Sequence, residues 1–410
     1  MKALLRHTKL PNKAFEIQIT GSKSESNRLL ILQVLYPQIT IENLSESDDT
    51  QYLQKALQSS ESIVDIHHAG TAMRFLTAYF ATKENVEVAL TGSTRMQERP
   101  IAILVDALRD LGANIEYEKK EGFPPLKIKG KKLIKNQVSV AANTSSQYLS
   151  ALLLVASSLP NGLILSLEGE ITSLPYLTMT LALLEQVGIE STFSENTITI
   201  LPQKSINKQT VVVESDWSSA SYFYSIVALS EGLEISLKSY RYPSLQGDAA
   251  LAEIYEQLGV TTEFFPKENS LKLSKDKSKL PKAVSLHLVN TPDIAQTIAV
   301  TCFGLGVACH LTGLHTLKIK ETDRLLALQT ELEKMGATVN VTEDSLSLFP
   351  SEKLVENSII ATYNDHRMAM AFAPLALKTA LQIEDPEVVS KSFPTFWQDL
   401  EKLGFSIQIK

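Results

Sequence analysis

Cysteine is scarce in this chain: Cys302 and Cys309 are the two in 410 residues, and both sit in one apolar run. Two such residues cannot form a disulfide framework, and no CxxC pair is present to hold zinc. They read as small buried hydrophobes, which suits a reducing cytoplasm. Excess positive charge is lacking as well. Lys plus Arg number 39 against 46 for Asp plus Glu, a net charge of −7. The surface as a whole is therefore not built for nucleic acid, and an anionic ligand must be held by a local basic site. The start, Met1 to Arg6, has too few apolar residues for the core of a secretory leader. One uncharged stretch, Ile294 to Leu314, contains Gln296, His310, three glycines and three threonines. It reads as a buried helix followed by a strand, not as a membrane span.

What is present is ordinary globular material, 44% apolar and 21% charged, long enough for two or three domains. A pattern recurs within it. An amphipathic helix ends in a hydrophobic residue plus glycine, and a short strand, a polar turn and a second strand follow in the clearest copies. It appears at Leu104–Gly112, Leu181–Gly188, Leu251–Gly259, Leu328–Gly336 and Phe396–Gly404, with the glycines 68 to 77 residues apart. A glycine after a helix supplies a left-handed C-cap. Five near-evenly spaced copies indicate a repeat of about 70 residues, nearly six to the chain. The expected class is α/β, with two pseudo-symmetric halves of three units each.

Several polar segments precede apolar helices. Thr20-Gly-Ser-Lys-Ser-Glu-Ser-Asn-Arg28 follows a strand expected at Phe15–Ile19; Ser24 or Ser26 can cap the helix it opens, and Lys23 and Arg28 add charge at a helix N-terminus that favours anions. It lacks the spacing of a Walker A loop, and a capped surface helix and a phosphate site both remain open. His68-Ala-Gly-Thr-Ala-Met-Arg74 is a glycine turn before an apolar helix, where Arg74 either snorkels to solvent or serves a site. His67 and His68, if on a strand, point to opposite faces, and no metal-ligand spacing accompanies them. Ser93 to Pro100 carries two arginines before a helix. Asn143-Thr-Ser-Ser-Gln-Tyr148 suits either capping or a polyhydroxy ligand. Ser173-Leu-Pro-Tyr176 is a weak turn signal, and Asp216-Trp-Ser-Ser-Ala-Ser221 reads as a cap. Thr291-Pro-Asp293, Lys318 to Arg324, Asn364 to Met368 and Lys391 complete the series. Taken together they scatter cations near helix starts over several repeat units. In an acidic chain this suggests convergence on a ligand bearing phosphate and carboxylate groups, with carboxylates among the cations as acid and base.

In Gly21-Ser-Lys-Ser with Asn27-Arg28, Ala69 to Arg74, Arg95 to Pro100, Lys320-Glu-Thr-Asp-Arg324 and Tyr363 to Met370, the chain resembles the 5-enolpyruvylshikimate-3-phosphate synthase family of enolpyruvyl transferases. The resemblance covers essentially the whole chain, in order. It implies a two-domain fold of six βαβαββ repeats in two pseudo-symmetric halves. One domain would be residues 20–214 and the other 1–19 plus 215–410, with the active site in the cleft between them. It implies transfer of the enolpyruvyl group of phosphoenolpyruvate to the 5-hydroxyl of shikimate 3-phosphate, by addition and elimination, with no metal and no cofactor. Residue by residue, Lys23, Ser24, Arg28, Ser145, Ser146, Gln147, Ser173, Asp293 and Lys320 would hold shikimate 3-phosphate. Lys23, Gly70, Arg95, Gln147, Arg324, Arg367 and Lys391 would hold phosphoenolpyruvate. Asp293, Glu321 and Lys23 would be catalytic, with Asp293 taking the hydroxyl proton and Glu321 protonating the methylene carbon. Packed cations should hold Asp293 ionised, and partial desolvation would help Glu321 find its proton. A cytoplasmic monomer is expected, with small-molecule substrates and neither nucleic acid nor membrane as partner.

The chain departs from the family pattern at Thr20 and Phe75, each in place of Pro, and at His68 and Thr316, each in place of Asn. Phe75 is expected to shift the helix holding Gly70 and Arg74, and so to bear on sensitivity to glyphosate more than on the reaction. Two rival readings are a transferase acting on UDP-N-acetylglucosamine and a non-catalytic metabolite-binding copy of the fold. The first usually carries a reactive cysteine in the loop corresponding to Thr91–Pro100, which has none here, and the second should lack part of the catalytic pair.

Overall fold

A computed structural model describes residues 1–142, 145–169, 171, 174–276, 280–351 and 354–410. The chain divides into two compact units, Gly21–Val213 and Met1–Thr20 with Glu214–Lys410.

Both units are built from one sheet pattern. In the first, Ile63–Asp65 pairs in parallel with Glu87–Thr91, which pairs antiparallel with Leu126–Lys129, and that strand with Asn114–Tyr117. Gln137–Ala141, Leu163–Glu168, Thr197–Ile200 and Ser191–Ser194 repeat the arrangement. The second unit holds three such sheets. Two of them borrow strands from the N-terminus: Ala14–Gln18 pairs with Glu234–Lys238, and Lys2–Leu5 lies between Leu381–Glu384 and Ile407–Ile409. The sixth sheet, in the first unit, keeps the parallel pair alone, Ile39–Glu42 with Gln209–Val212. Its outer helix Asp48–Gln58 passes through residues 59–62 straight into the next strand, which leaves no chain for a hairpin.

The five glycines of the repeat all have positive φ, from 78° at Gly259 to 108° at Gly404. A Cβ at Gly112 would meet nothing within 4 Å. The backbone angle selects glycine there, not lack of room.

Each unit wraps three largely buried helices. They are Lys23–Leu35, Gly70–Thr82 and Ser146–Ala156 in one, and Trp217–Leu229, Ala295–Leu305 and His366–Phe372 in the other. The uncharged stretch Ile294 to Leu314 holds the buried helix Ala295–Leu305 followed by the strand Ala308–Thr312, as expected. Among the described residues no helix is long and apolar enough to cross a membrane. Cys302 and Cys309 are buried there with free thiols.

Candidate functional site

Six of the polar segments picked out in the sequence fall at the starts of these six inner helices, and the one that ends in Arg324 opens the helix Arg324–Lys334. In the unit containing Glu214–Lys410, Thr291 leads into a short 3-10 helix, Pro292–Ile294, that carries Asp293 into the helix Ala295–Leu305. Asp365 caps the helix His366–Phe372 by accepting from the Arg367 backbone N–H at 2.9 Å. Asp323 caps Arg324–Lys334, taking the N–H groups of Leu325 and Leu326. These caps fix where the charged side chains begin.

The result is a close-set ion cluster. Arg324, with a side chain 2% exposed, donates to Asp365 Oδ2 at 2.6 Å, Asp293 Oδ1 at 2.9 Å and Glu321 Oε2 at 2.9 Å. Asp293 is also met by Lys320 at 3.4 Å and by Arg367 at 3.3 Å, and its backbone carbonyl accepts from Arg367 at 3.1 Å. Lys391 reaches Glu321 Oε1 at 2.6 Å. Burial opposes ionisation of Asp293, but Lys320, Arg367 and Arg324 outweigh both burial and the repulsion of Glu321, and hold its carboxyl well below the usual 3.8. Burial likewise works against the charge of Arg324, and Asp365, Glu321 and Asp293 reverse it, leaving the guanidinium more firmly protonated than usual. Deeper in, Asp248 accepts from Thr291 and Ser218, and Ser218 accepts from Arg367 at 3.3 Å. Burial first, then Asp293, pushes the Asp248 carboxyl up, against the pull of Arg367 and the two hydroxyls.

The unit Gly21–Val213 carries a second polar cluster. The cap of the helix Lys23–Leu35 is Ser22, whose Oγ accepts from the Glu25 N–H. This corrects the expectation of Ser24 or Ser26: the helix begins earlier, at Lys23, and both serines lie inside it. Arg28 is buried among neutral acceptors, Thr180 at 2.8 Å, the Ser24 carbonyl at 2.8 Å, Ser150 at 2.9 Å and the Tyr176 carbonyl at 3.3 Å. Its guanidinium also lies over the rings of Phe75 and Tyr176. Burial lowers it to about 10, and an arriving anion would relieve that cost. Lys23 stands 3.6 Å from the buried carboxylate of Asp49. Ser145 caps Ser146–Ala156, and Gln147 donates to Thr71 at 3.2 Å, tying that helix start to the start of Gly70–Thr82.

Arg74 does not snorkel. It is buried, donates to the carbonyls of Gly70 and Pro100, and burial aided by Arg99 lowers it to about 10. His67 and His68 are not on a strand. They form a turn, His67 at φ 52°, with their Nδ1 atoms 2.8 Å apart. Asp216 is the cap that was read, accepting from the Ser219 N–H at 2.8 Å.

Asp293, Lys320, Glu321, Arg324, Arg367 and Lys391 are thus gathered in one cluster. Lys23, Ser24, Arg28, Gly70, Ser145, Ser146 and Gln147 lie at or near three mutually packed helix starts. Arg95 stands apart: it is 57% exposed and pairs with Glu98 on the short helix Thr94–Gln97. The arginine beside Gly70 is Arg99, whose Nη1 would lie 2.5 Å from a Cβ placed there. Ser173 lies outside the described residues. The Thr316 hydroxyl is enclosed, with no hydrogen-bond partner among the described residues. Sequence reasoning missed Asp49, Arg99, Asp248 and Asp365. Arg99 and Asp365 stood inside motifs already singled out, and the position of Asp365 before an apolar helix was the signal for a cap.

A family model described as EPSP synthase (3-phosphoshikimate 1-carboxyvinyltransferase) matches residues 53–400. The chain belongs to the EPSP synthase family. A 3-phosphoshikimate 1-carboxyvinyltransferase of Bacteroides fragilis is 45% identical over 397 residues, 96% of each chain. One of Shewanella halifaxensis is 37% identical, covering 95% of this chain and 96% of its own. An EPSP synthase structure from Acinetobacter baumannii superposes with a TM-score of 0.81 at 20% identity, over 100% of this chain and 99% of that one. The enolpyruvyl transferase NikO from Streptomyces tendae gives 0.74 at 14%, over 99% and 98%. These two structures speak for the fold alone, and the EPSP synthase fold is the one they share with this chain.

Proposed function

We propose that the chain transfers the enolpyruvyl group of phosphoenolpyruvate to the 5-hydroxyl of shikimate 3-phosphate and releases phosphate. The observation that carries the reading is its near full-length likeness to relatives named for that activity. The cluster around Asp293 supports it independently, because it supplies cations for a compact anion with two carboxylates among them.

In the proposed path Glu321 gives its proton to the methylene carbon of phosphoenolpyruvate, and C2 takes on cationic character. The 5-hydroxyl oxygen attacks C2 while its proton passes to Asp293, which the surrounding cations keep ionised. A tetrahedral ketal phosphate results. Breaking the bond from C2 to the phosphate oxygen expels phosphate, which takes up the proton held by Asp293, and the methyl proton returns to the Glu321 carboxylate. Before substrate arrives, Glu321 is engaged by Lys391 and Arg324. The carboxylate and phosphate of phosphoenolpyruvate compete for those cations and leave Glu321 able to hold the proton it must deliver.

Shikimate 3-phosphate would be held by Lys23, Ser24, Arg28, Ser145, Ser146, Gln147, Ser173 and Lys320, with Asp293 on its 5-hydroxyl. Phosphoenolpyruvate would be held by Lys23, Gly70, Gln147, Arg324, Arg367 and Lys391. We add Arg99 to this second set on its closeness to Gly70, and keep Arg95 as the weaker candidate. Lys23 would carry charge to both substrates. We read the two compact units as the two domains of the family. The enzyme would work as a cytoplasmic monomer without metal or cofactor.

The test is phosphate release with phosphoenolpyruvate and either shikimate 3-phosphate or UDP-N-acetylglucosamine. Release that requires shikimate 3-phosphate is expected. Release with the sugar nucleotide instead would overturn the substrate, and silence with both would leave a binding protein. The named activity of the relatives disfavours both outcomes.

A further inference from the structure

Arg324 and Glu331 lie seven residues apart on the helix Arg324–Lys334, so they share one face two turns apart. Arg324 grips Asp365 through its Nε at 2.6 Å. Glu331, its side chain fully buried, accepts from the Tyr363 hydroxyl at 2.6 Å and from the Ala361 backbone N–H at 3.2 Å. Lys334 at 2.7 Å supplies the balancing charge. One helix face therefore holds both ends of the short segment Ala361–Asp365.

Between those grips the backbone is unusual. Tyr363 and Asn364 both have φ of 55°. Two consecutive non-glycine residues in the left-handed region are costly, and they persist where the surroundings impose them. Their turn sets the direction in which the chain enters the helix His366–Phe372. Asp365 caps that helix, and its second residue, Arg367, reaches Asp293.

We propose that Glu331 is a positioning residue for the reaction: it braces the left-handed Tyr363–Asn364 pair and thereby aims Arg367 at the site. The inference rests on the role given to Arg367 above. Glu331 touches no reacting atom; it acts through the backbone it holds. Loosening the brace lets the pair relax toward right-handed angles, and the guanidinium of Arg367 turns away from its working position. Glycine at residue 364 accepts the left-handed angle without strain, so it should make the brace dispensable.

The test compares Tyr363→Phe, Glu331→Gln, Glu331→Gln with Asn364→Gly, and Arg367→Gln as control. The readouts are the KM for each substrate, kcat and Tm. Tyr363→Phe and Glu331→Gln should each raise the KM for phosphoenolpyruvate by about three- to tenfold, the scale of one lost hydrogen bond. The KM for shikimate 3-phosphate should stay within about twofold, and the added glycine should return the first KM toward normal. If the variants lose Tm while both KM values hold, Glu331 is merely structural and the proposal is overturned. It is overturned too if glycine restores Tm but not the KM. If Arg367→Gln itself leaves the KM for phosphoenolpyruvate unchanged, the reading of Arg367 fails, and the effect claimed for Glu331 falls with it. If that control responds and the Glu331 and Tyr363 variants do not, the brace alone is refuted.

Discussion

Lys391 donates a 2.6 Å hydrogen bond to Glu321, a residue 70 positions away in the chain. The pair links a side chain expected to hold phosphoenolpyruvate to the one expected to protonate it. Glu321→Gln keeps the shape and the Lys391 contact but has no proton to give. Its kcat should fall by about 10²–10⁴, with the smaller part of the effect on either KM. Turnover within about threefold of the parent would remove Glu321 from the acid role.

Asp293→Asn should lose about as much turnover, and it also yields a prediction about acid stability. The native carboxyl is held well below 3.8, so Asp293 contributes stability that is fully present above that pH. The contribution is lost as pH falls from 3.8 toward the native value. Denaturant unfolding of the parent should therefore weaken more steeply below pH 4 than that of the Asn variant. Parallel acid profiles would show that the three cations do not act on this carboxyl as the geometry indicates.

The two arginines of the Arg95–Pro100 segment should separate cleanly. Arg99→Ala should raise the KM for phosphoenolpyruvate by about tenfold or more, because it removes charge-assisted bonding beside Gly70. Arg95→Ala removes an exposed ion pair with Glu98, and its effect should stay within about threefold. The reverse ranking in steady-state kinetics would restore Arg95 as the ligand.

Gly112→Ala should destabilise the fold by about 1 kcal/mol or more through the backbone alone. Residue 112 has φ of 105° and open space where the methyl would go. Chemical denaturation should report the loss, while kcat and both KM values stay unchanged. A neutral result would mean that the helix end relaxes to an angle alanine tolerates.

Much of this was legible in the sequence for physical reasons. Glycine at a helix end is almost a backbone measurement, and the five repeat glycines all have positive φ. A polar segment before an apolar run is a helix start, and six of those segments open the six inner helices. What stayed hidden was pairing between distant residues. Arg95 and Arg99 differ by four positions and carry the same side chain, and only the fold decides which one meets Gly70. The burial of Arg74 depends on the Pro100 carbonyl of another segment. The turn at His67 and His68 overrode a reading based on strand alternation, because His67 adopts a left-handed angle that ends the strand at Asp65.

The strands borrowed by the second unit order events during synthesis. Residues 21–213 leave the ribosome as one uninterrupted run and hold every strand of their own sheets. The strand Lys2–Leu5 emerges first, yet its partners Leu381–Glu384 and Ile407–Ile409 come some 380 to 400 residues later. One unit can therefore close while the other keeps an unpaired strand waiting. During that interval the waiting strand is open to mispairing, and a truncation just before Ile407 would strip one edge from the sheet that the chain completes last.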